Sequence, residues 1–259
     1  MPQKVAVILG AGASYDAWNE TGPPAEMAWR PPLAREFFGA RQAFWPVLGS
    51  YRGARLLASE LGELARGDAF NIELKLREFA EHNDQRIRRA FREVPPYLRD
   101  VILEVVRTYT GTHNPGTHLR FVMHLLSTGA PVAFIDLNYD PYTEMALAYF
   151  DRSLTIGSID DYVAPGRQAI VCKVHGSIDW GIRMGQPQLG WPAALEEFDP
   201  LKRTTKDIVL NQNRTGSNGW ADAEGAPLYP MLTAPLAGKG QLDLVCPDAL
   251  SLLESRPAR

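Results

Sequence analysis

The stretch from Pro131 to Asp140, PVAFIDLNYD, constrains the fold more than any other part of the chain. Its apolar run over residues 132–137 is interrupted only by Asp136 and has the length of a buried β-strand. The run stops at a polar triplet that contains Asn138 and Asp140, and a proline suited to the first turn of a helix follows. Ligands of open α/β sheets bind beyond the carboxyl ends of the strands. We therefore expect Asn138 and Asp140 to lie at a functional site.

A second apolar run, Lys4 to Leu9, leads directly into the glycine-containing segment GAGAS at residues 10–14. A strand, a glycine turn and a helix in this order are typical of a diphosphate-binding turn. Gly10 permits a tight turn, Gly12 allows close approach of a diphosphate, and free amides at a helix start attract anionic oxygens. The third glycine of the dinucleotide fingerprint is missing, so a plain strand-to-helix turn, with Ser14 as a helix cap, is an equally good interpretation.

A third apolar run, Ala169 to Val174, ends at a polar segment that begins with His175, Gly176 and Ser177. The three runs are short and rich in β-branched residues, which is typical of strands buried on both faces of a parallel sheet. The carboxyl ends of parallel strands lie at one edge of a sheet, so we expect the three polar segments to converge there. The sequence thus predicts an α/β fold with a doubly wound, mainly parallel sheet.

The pattern becomes helical between residues 33 and 129, where apolar residues recur at intervals of three and four. We predict roughly four or five helices, inserted after the first strand. A segment with four prolines at residues 18–32 precedes them, and it is either a lid over a bound nucleotide or an irregular connection. The histidines of the helical part show no metal-ligand spacing. Its arginines at residues 86–92 are most simply a solvated helix face.

The composition and charge of the chain argue against several classes of function, namely nucleic-acid binding, membrane binding and a structural zinc site. The net charge is −3 and the pI is near 6.0, which gives no general electrostatic reason to bind nucleic acid or an anionic membrane. Two cysteines are too few for a disulfide framework or a four-thiolate zinc site. The first residues lack a signal-peptide layout, and no apolar run approaches the roughly 20 residues that span a bilayer. We predict a cytoplasmic location, no membrane contact and no direct contact with nucleic acid.

Several of these motifs, taken together and in this order, resemble the sirtuin-like domains of bacterial antiphage NAD hydrolases. They are GAGAS at 10–14, RPPL at 30–33, NYD at 138–140 and KVHGSIDW at 173–180. The segment FNIELKLREF at 70–79 is also similar to the helical insertion of that family. The resemblance implies a Rossmann-like sheet that binds NAD. It also implies that an Asn and a His, here Asn138 and His175, are essential for cleavage of the nicotinamide–ribose bond.

The expected reaction is hydrolysis of NAD to nicotinamide and ADP-ribose. Departure of the cationic pyridinium leaves an oxocarbenium-like ribose, as in glycoside hydrolysis. An amide both donates and accepts, so Asn138 suits holding water or a ribose hydroxyl. His175 can accept a proton near neutral pH, and Asp140 can orient the nicotinamide amide or the ribose. The predicted catalytic residues are Asn138, His175 and Asp140. The predicted NAD-binding residues are Gly10, Ala11, Gly12, Ala13, Ser14, Asn138, Asp140, His175, Gly176 and Ser177.

The chain departs from this family pattern in two ways. Protein-deacylating sirtuins carry a zinc ribbon of two Cys-x-x-Cys pairs, which Cys172 and Cys246 cannot supply, so we predict no zinc and consider deacylation the weaker interpretation. The final apolar strand of the family has no counterpart after the segment LVCPDALSLLESRPAR at residues 244–259. We expect one sirtuin-like domain over residues 1–259, with a helical insertion at about 33–129 and a core of 1–32 and 130–259 that lacks this strand.

Two other functions remain open beside hydrolysis. A binding module that senses NAD or ADP-ribose without turning it over is the main alternative, and transfer of ADP-ribose to a macromolecule is another. An antiphage effector that depletes cellular NAD would harm its host if it were always active. We therefore expect NAD as the ligand, and control by a homo-oligomer or by a partner defence protein.

Overall fold

The computed structural model describes residues 4–15, 29–39, 41–64, 66, 72–111, 116–162, 164, 166–185, 194–195, 198, 208–211, 221–222 and 225–232. Within these ranges the chain has an α/β fold. The strands are β1 (Val5–Leu9), β2 (Val132–Asp136), β3 (Ala169–Lys173), β4 (Gly176–Arg183), β5 (Ile208–Leu210) and β6 (Leu228–Leu232). The helices are α1 (Ala11–Tyr15), α2 (Trp45–Gly49), α3 (Arg52–Leu64), α4 (Ile72–Ala80), α5 (Gln85–Phe91), α6 (Val94–Gly111), α7 (Thr117–Ser127) and α8 (Tyr142–Phe150).

The first three strands form a parallel sheet in the order β1-β2-β3, with β2 in the centre. The register pairs Leu9 with Asp136 and Asp136 with Lys173, so all three strands end at the same level. The predicted strand runs are confirmed to within a residue at their ends, because a short β-branched run is a strong local signal. The prediction of an α/β fold with parallel strands is therefore confirmed for this sheet.

One face of the parallel sheet packs on helices α7 and α8. Helix α7 buries Val122 and Leu126, which lie four residues apart and therefore on one helix face. They belong to the same apolar core as Phe134 of β2 and Val171 of β3. Burial of this apolar surface away from water holds the sheet and its two helices together.

A second apolar core lies among the helices between β1 and β2. Helix α3 buries Ala54, Leu57 and Leu61, a spacing that forms one face of the helix. These residues share a core with Tyr97 and other residues of α6. The packing is close, because a Cβ atom placed on Gly53 of α3 would lie 2.7 Å from a backbone oxygen of α5.

The last three strands form an antiparallel sheet in the order β5-β4-β6. Local sequence patterns do not predict this sheet, and they indicate that HGSIDW is the polar end of the third parallel strand. In the structure, the chain instead begins β4 at Gly176, one residue beyond His175. Gly176 has a φ of +83°, a backbone conformation that favours glycine, so the chain can turn sharply after β3. Strand β4 then pairs with the distant strand β6.

Several predictions concern parts of the chain outside the described residues. They include most of the proline-containing segment 18–32, as well as Cys246 and the segment 244–259. Among the helices that the structure describes, none is both long and apolar enough to cross a membrane.

Candidate functional site

The carboxyl ends of the three parallel strands bring the three predicted polar segments together. At the last level of the sheet, Asp136 of the central strand pairs with Leu9 on one side and with Lys173 on the other. The segments that follow them leave the sheet at one edge, which is the geometry the sequence predicted. The backbone fixes their spacing, because Leu137 donates its N–H to the carbonyl oxygen of Leu9 at 2.9 Å, and Val174 donates to Asp136 at 3.1 Å.

A row of hydrogen bonds joins the first segment to the second. The Nδ2 atom of Asn138 donates to the carbonyl oxygen of Gly10 and to the Oγ atom of Ser14, each at 3.0 Å. Ser14 in turn donates its hydroxyl proton to Oδ2 of Asp140 at 2.7 Å. Asn138, Ser14 and Asp140 are all buried. The structure thus places three of the predicted site residues in one connected row.

The orientation of the Asn138 amide follows from its neighbours. A backbone carbonyl oxygen such as that of Gly10 can only accept, so the NH2 group of Asn138 must face it. The single hydroxyl proton of Ser14 goes to Asp140, which leaves the Ser14 oxygen to accept from Asn138. The row therefore runs in one direction, from Asn138 through Ser14 to Asp140.

His175 lies beside this row, in the turn between β3 and β4. Its ring packs against Tyr139 edge to face, with 6.3 Å between the ring centroids. The turn is held to the Asn138 segment, because Ile178 of β4 donates its N–H to the carbonyl oxygen of Tyr139 at 2.9 Å. The third predicted segment therefore reaches the same site as the other two.

The row and His175 line a cavity of about 230 Å³. Its polar end is formed by Gly10, Ala11, Ser14, Asn138, Asp140 and His175. An apolar wall of the same cavity is formed by Phe37, Ile72, Leu76, Leu98, Ile102 and Val105. This apolar wall comes mainly from helices α4 and α6, which the sequence does not predict as part of the site. The signal was present as apolar periodicity in the helical segments, but periodicity alone does not say which face meets a ligand.

Four of the predicted NAD-binding residues do not line this cavity, namely Gly12, Ala13, Gly176 and Ser177. Ser177 contacts protein groups instead. Its Oγ atom donates to the carbonyl oxygen of Tyr139 at 3.4 Å and accepts from the N–H of Asp179 at 3.3 Å. Ser177 therefore holds β4 against the Asn138 segment.

A buried cluster of charged residues lies directly behind the row. Lys173 donates to Oδ2 of Asp136 at 3.1 Å and to the backbone carbonyl oxygen of Asp140, and it lies 3.6 Å from Oε1 of Glu144. Two carboxyl groups and the backbone carbonyl oxygen of Asp140 therefore surround one ammonium group. The sequence contained this signal as two charged residues, Asp136 and Lys173, at the ends of otherwise apolar strands. Only the strand register shows that they face each other.

Burial shifts the titration of this cluster. Burial raises the pKa of Asp140 to about 6, an effect that Lys173 opposes and Asp136 reinforces. Burial also raises the pKa of Glu144 to about 7, again opposed by Lys173 and reinforced by Asp136. Burial alone would lower the pKa of Lys173, but the carboxylates of Asp136, Glu144 and Asp140 raise it above its usual value. The charge at the site therefore changes near neutral pH.

Within the part of the chain that the structure describes, no group of three or more His, Cys, Asp or Glu residues is arranged to hold a metal ion. Of the two cysteines, Cys172 is buried in β3. The expectation that no zinc is bound stays a prediction.

Comparison with known proteins identified no relative: no family model, no curated protein and no solved structure matches this chain. The function of the site is therefore inferred from the geometry of its own residues, together with the motifs that resemble the sirtuin-like domains.

Proposed function

We propose that the protein hydrolyses NAD to nicotinamide and ADP-ribose in a sirtuin-like domain with a Rossmann-like sheet. One observation carries the proposal: Asn138, Ser14 and Asp140 form a hydrogen-bonded row that lines the same cavity as His175, beyond three parallel strands. These residues come from separate motifs of the chain, and each motif is individually weak. Their convergence on one cavity supports the resemblance that the motifs carry.

The row gives Asn138 a narrower role than an amide normally has. Both hydrogens of its Nδ2 atom have protein acceptors, Gly10 and Ser14. We therefore expect its Oδ1 atom to accept a hydrogen bond from the attacking water or from a ribose hydroxyl. An acceptor at this position also favours the positive charge that develops on the ribose during cleavage.

Asp140 holds the row in place in this mechanism. Its Oδ2 atom accepts from Ser14, and its Oδ1 atom accepts from the N–H of Tyr142 at 3.2 Å. Both carboxylate oxygens therefore have protein donors. His175 also lines the cavity, and we assign to it the acceptance of the proton that water loses during attack.

The cavity matches one half of the substrate. Pockets for drug-sized ligands have volumes of about 300–1,000 Å³, and this cavity of about 230 Å³ is smaller. It suits the nicotinamide riboside half, with the ring against the apolar wall of α4 and α6. The ADP half would then extend past Gly10 and Ala11 at the polar end. Exclusion of water by the apolar wall would strengthen the electrostatic interactions at the polar end.

The test is incubation of the purified protein with NAD, followed by chromatography of the products. Free nicotinamide and ADP-ribose in equal amounts are expected. Unchanged NAD with measurable binding would instead identify a sensor, and ADP-ribose bound to protein would identify a transferase. An Asn138→Ala variant prepared in parallel controls for contaminating NAD hydrolases.

The cellular role follows from this chemistry as a further part of the proposal. Unrestrained hydrolysis would deplete the NAD of the host, so we propose an antiphage effector whose activity depends on self-assembly or on a partner defence protein. Measurement of NAD in cells that express the protein, with and without phage infection, tests this role. NAD that falls equally in both cultures would argue against control by infection.

A further inference from the structure

Lys173 is a fully buried charged residue directly behind the candidate site. It is the last residue of β3 and is 0% exposed. It does not line the cavity, so it cannot touch a ligand there. Its ammonium group instead contacts Asp136, Asp140 and Glu144.

These contacts hold both ends of the segment that carries Asn138. Asp136, which pairs with Lys173, accepts the backbone N–H of Asn138 on Oδ1 at 2.9 Å. Its Oδ2 atom accepts from Lys173 and from the hydroxyl group of Thr143 at 2.9 Å. Lys173 also donates to the backbone carbonyl oxygen of Asp140. One ammonium group thus fixes the segment on either side of Asn138.

We propose that Lys173 is a positioning residue for NAD hydrolysis, which fixes the Asn138 segment without touching the substrate. The inference rests on the proposed function, because it assigns Lys173 a part in that reaction. Lys173 acts through two contacts: through Asp136 to the backbone N–H of Asn138, and directly to the backbone carbonyl oxygen of Asp140.

The packing of the sheet does not require an ion pair between β2 and β3. The other inward-facing pairs of β2 and β3 are apolar, Val132 with Ala169 and Phe134 with Val171. A buried ion pair is often no more stabilising than apolar residues of similar volume, because both charges lose their hydration. The charged pair occurs at the level of the sheet where the site begins. Its location therefore points to a role in the site.

The charge of Lys173 has an effect that a neutral side chain cannot reproduce. Lys173 lowers the pKa of Asp140, whereas Asp136 raises it. Removal of the lysine should therefore favour protonated Asp140, and removal of the Asp136 charge should favour ionised Asp140. The other titratable groups around the cluster are Glu144 of α8, His118 of α7, Asp179 of β4, Tyr162 and, at the cavity, His175.

The experiment compares the variants Lys173→Met and Asp136→Asn with the wild type. Lys75→Met is the matched control, since Lys75 is an ion-paired lysine on a partly exposed surface of α4. Nicotinamide release is measured as kcat and KM from pH 5 to 9. A displacement of about 1 Å in a reacting group lowers rates by about 100-fold. We expect kcat to fall by about 10- to 100-fold in Lys173→Met and Asp136→Asn, with KM within about threefold of the wild type.

The pH profile distinguishes the proposal from simple loss of structure. The acidic limb of kcat should move to higher pH in Lys173→Met and to lower pH in Asp136→Asn, whereas Lys75→Met should match the wild type. Unfolding would not move the two limbs in opposite directions. Unchanged kcat in Lys173→Met, or limbs that move in the same direction, would overturn the proposal. If Lys173→Met does not fold, the Asp136→Asn variant tests the proposal by itself. Its kcat should fall, and the acidic limb of its pH profile should move to lower pH.

Failure of the proposed function has a separate result. If the wild-type protein releases no nicotinamide, the hydrolase assignment fails, and hydrogen exchange then tests the positioning role by itself. Peptides that cover residues 136–144 should exchange faster in Lys173→Met than in the wild type or in Lys75→Met. The reason is that Asp136, which accepts the N–H of Asn138, loses its ion pair with Lys173. Equal exchange in all three proteins would show that Lys173 does not hold this segment.

Discussion

The buried charge cluster predicts that neutralising Glu144 stabilises the protein at alkaline pH. Glu144 is 8% exposed, and its Oε1 atom accepts a hydrogen bond from Tyr162 at 3.0 Å. Burial raises its pKa from 4.5 to about 7. The folded protein therefore binds this proton more tightly than the unfolded chain does. The contribution of Glu144 to stability is most favourable below pH 4.5 and is lost as the pH rises through 7.

The size of the effect follows from the same values. Each tenfold change in proton affinity between the folded and unfolded states corresponds to 1.36 kcal/mol. A rise in pKa from 4.5 to about 7 therefore destabilises the folded state by about 3 kcal/mol above pH 7. A Glu144→Gln variant keeps the shape and an acceptor for Tyr162 but cannot ionise. We expect it to be more stable than the wild type by about 3 kcal/mol at pH 8 and nearly equal to it at pH 4.5.

Urea unfolding followed by tryptophan fluorescence at pH 4.5, 6, 7 and 8 measures this difference. Glu78→Gln is the matched control, because the Glu78 side chain is 54% exposed and lies on the surface of α4. The stability difference between Glu144→Gln and the wild type should grow steadily from pH 4.5 to 8, while that of Glu78→Gln should stay small. A Glu144→Gln protein that is no more stable than the wild type at pH 8 would refute the reasoning. A difference that does not depend on pH would refute it as well.

Three further predictions concern the site and the helices around it. Asn138→Ala and His175→Ala should each lower the rate of nicotinamide release by at least about 100-fold. Asn138→Ala should also destabilise the protein by about 1–3 kcal/mol, because it removes two buried hydrogen bonds, whereas His175→Ala should change the melting temperature little. Gly12→Val should weaken NAD binding, as measured by calorimetry, and should leave the fold intact, because a Cβ atom there meets no heavy atom of the described residues within 4 Å. Gly53→Ala should destabilise the protein by about 1–3 kcal/mol in urea unfolding, since its Cβ atom would lie 2.7 Å from the carbonyl oxygen of Ala90.

Each of these predictions has a contradicting result. Near-normal NAD cleavage by the His175 variant would mean that His175 is a turn residue without a chemical role. Unchanged NAD affinity in Gly12→Val would remove the diphosphate from the first glycine turn. A Gly53→Ala protein as stable as the wild type would show that α3 and α5 can separate without loss of packing.

The sequence predicts the parallel strands and their polar ends because both are local features. The runs at residues 4–9, 132–137 and 169–174 predict β1, β2 and β3 closely, and the rule that ligands bind beyond strand ends selects Asn138 and Asp140. The row itself is not local. Ser14 and Asp140 are 126 residues apart, and the sequence offers helix capping as an equally good explanation of Ser14. Only the register of β1 on β2 shows that Ser14 reaches the second segment.

The antiparallel sheet lies beyond local reasoning for a similar reason. Strand β4 begins at Gly176, so its first residues also read as the polar end of β3. Its identity as a strand depends on hydrogen bonds to β6, about fifty residues further along the chain. The apolar wall of the cavity is a third case. Leu76 is buried as a core residue would be, and only the approach of α4 to the strand ends makes it part of a site.

The buried charge cluster lowers the stability of the folded protein, because burial opposes ionisation of its carboxyl groups. Lys173 contacts the carboxyl groups of Asp136 and Glu144 and the backbone carbonyl oxygen of Asp140. Burial raises the pKa values of Asp140 and Glu144. Asp140 lines the cavity and holds Ser14, so its ionised form serves the row even though burial opposes it. Glu144 does not line the cavity. Lys173 connects the two and offsets part of the burial penalty of both. The placement of Lys173 opposite Asp136 at the last level of the parallel sheet therefore affects two properties. It fixes the segment used in the proposed reaction, and it limits the loss of stability that burial of Glu144 causes as the pH rises.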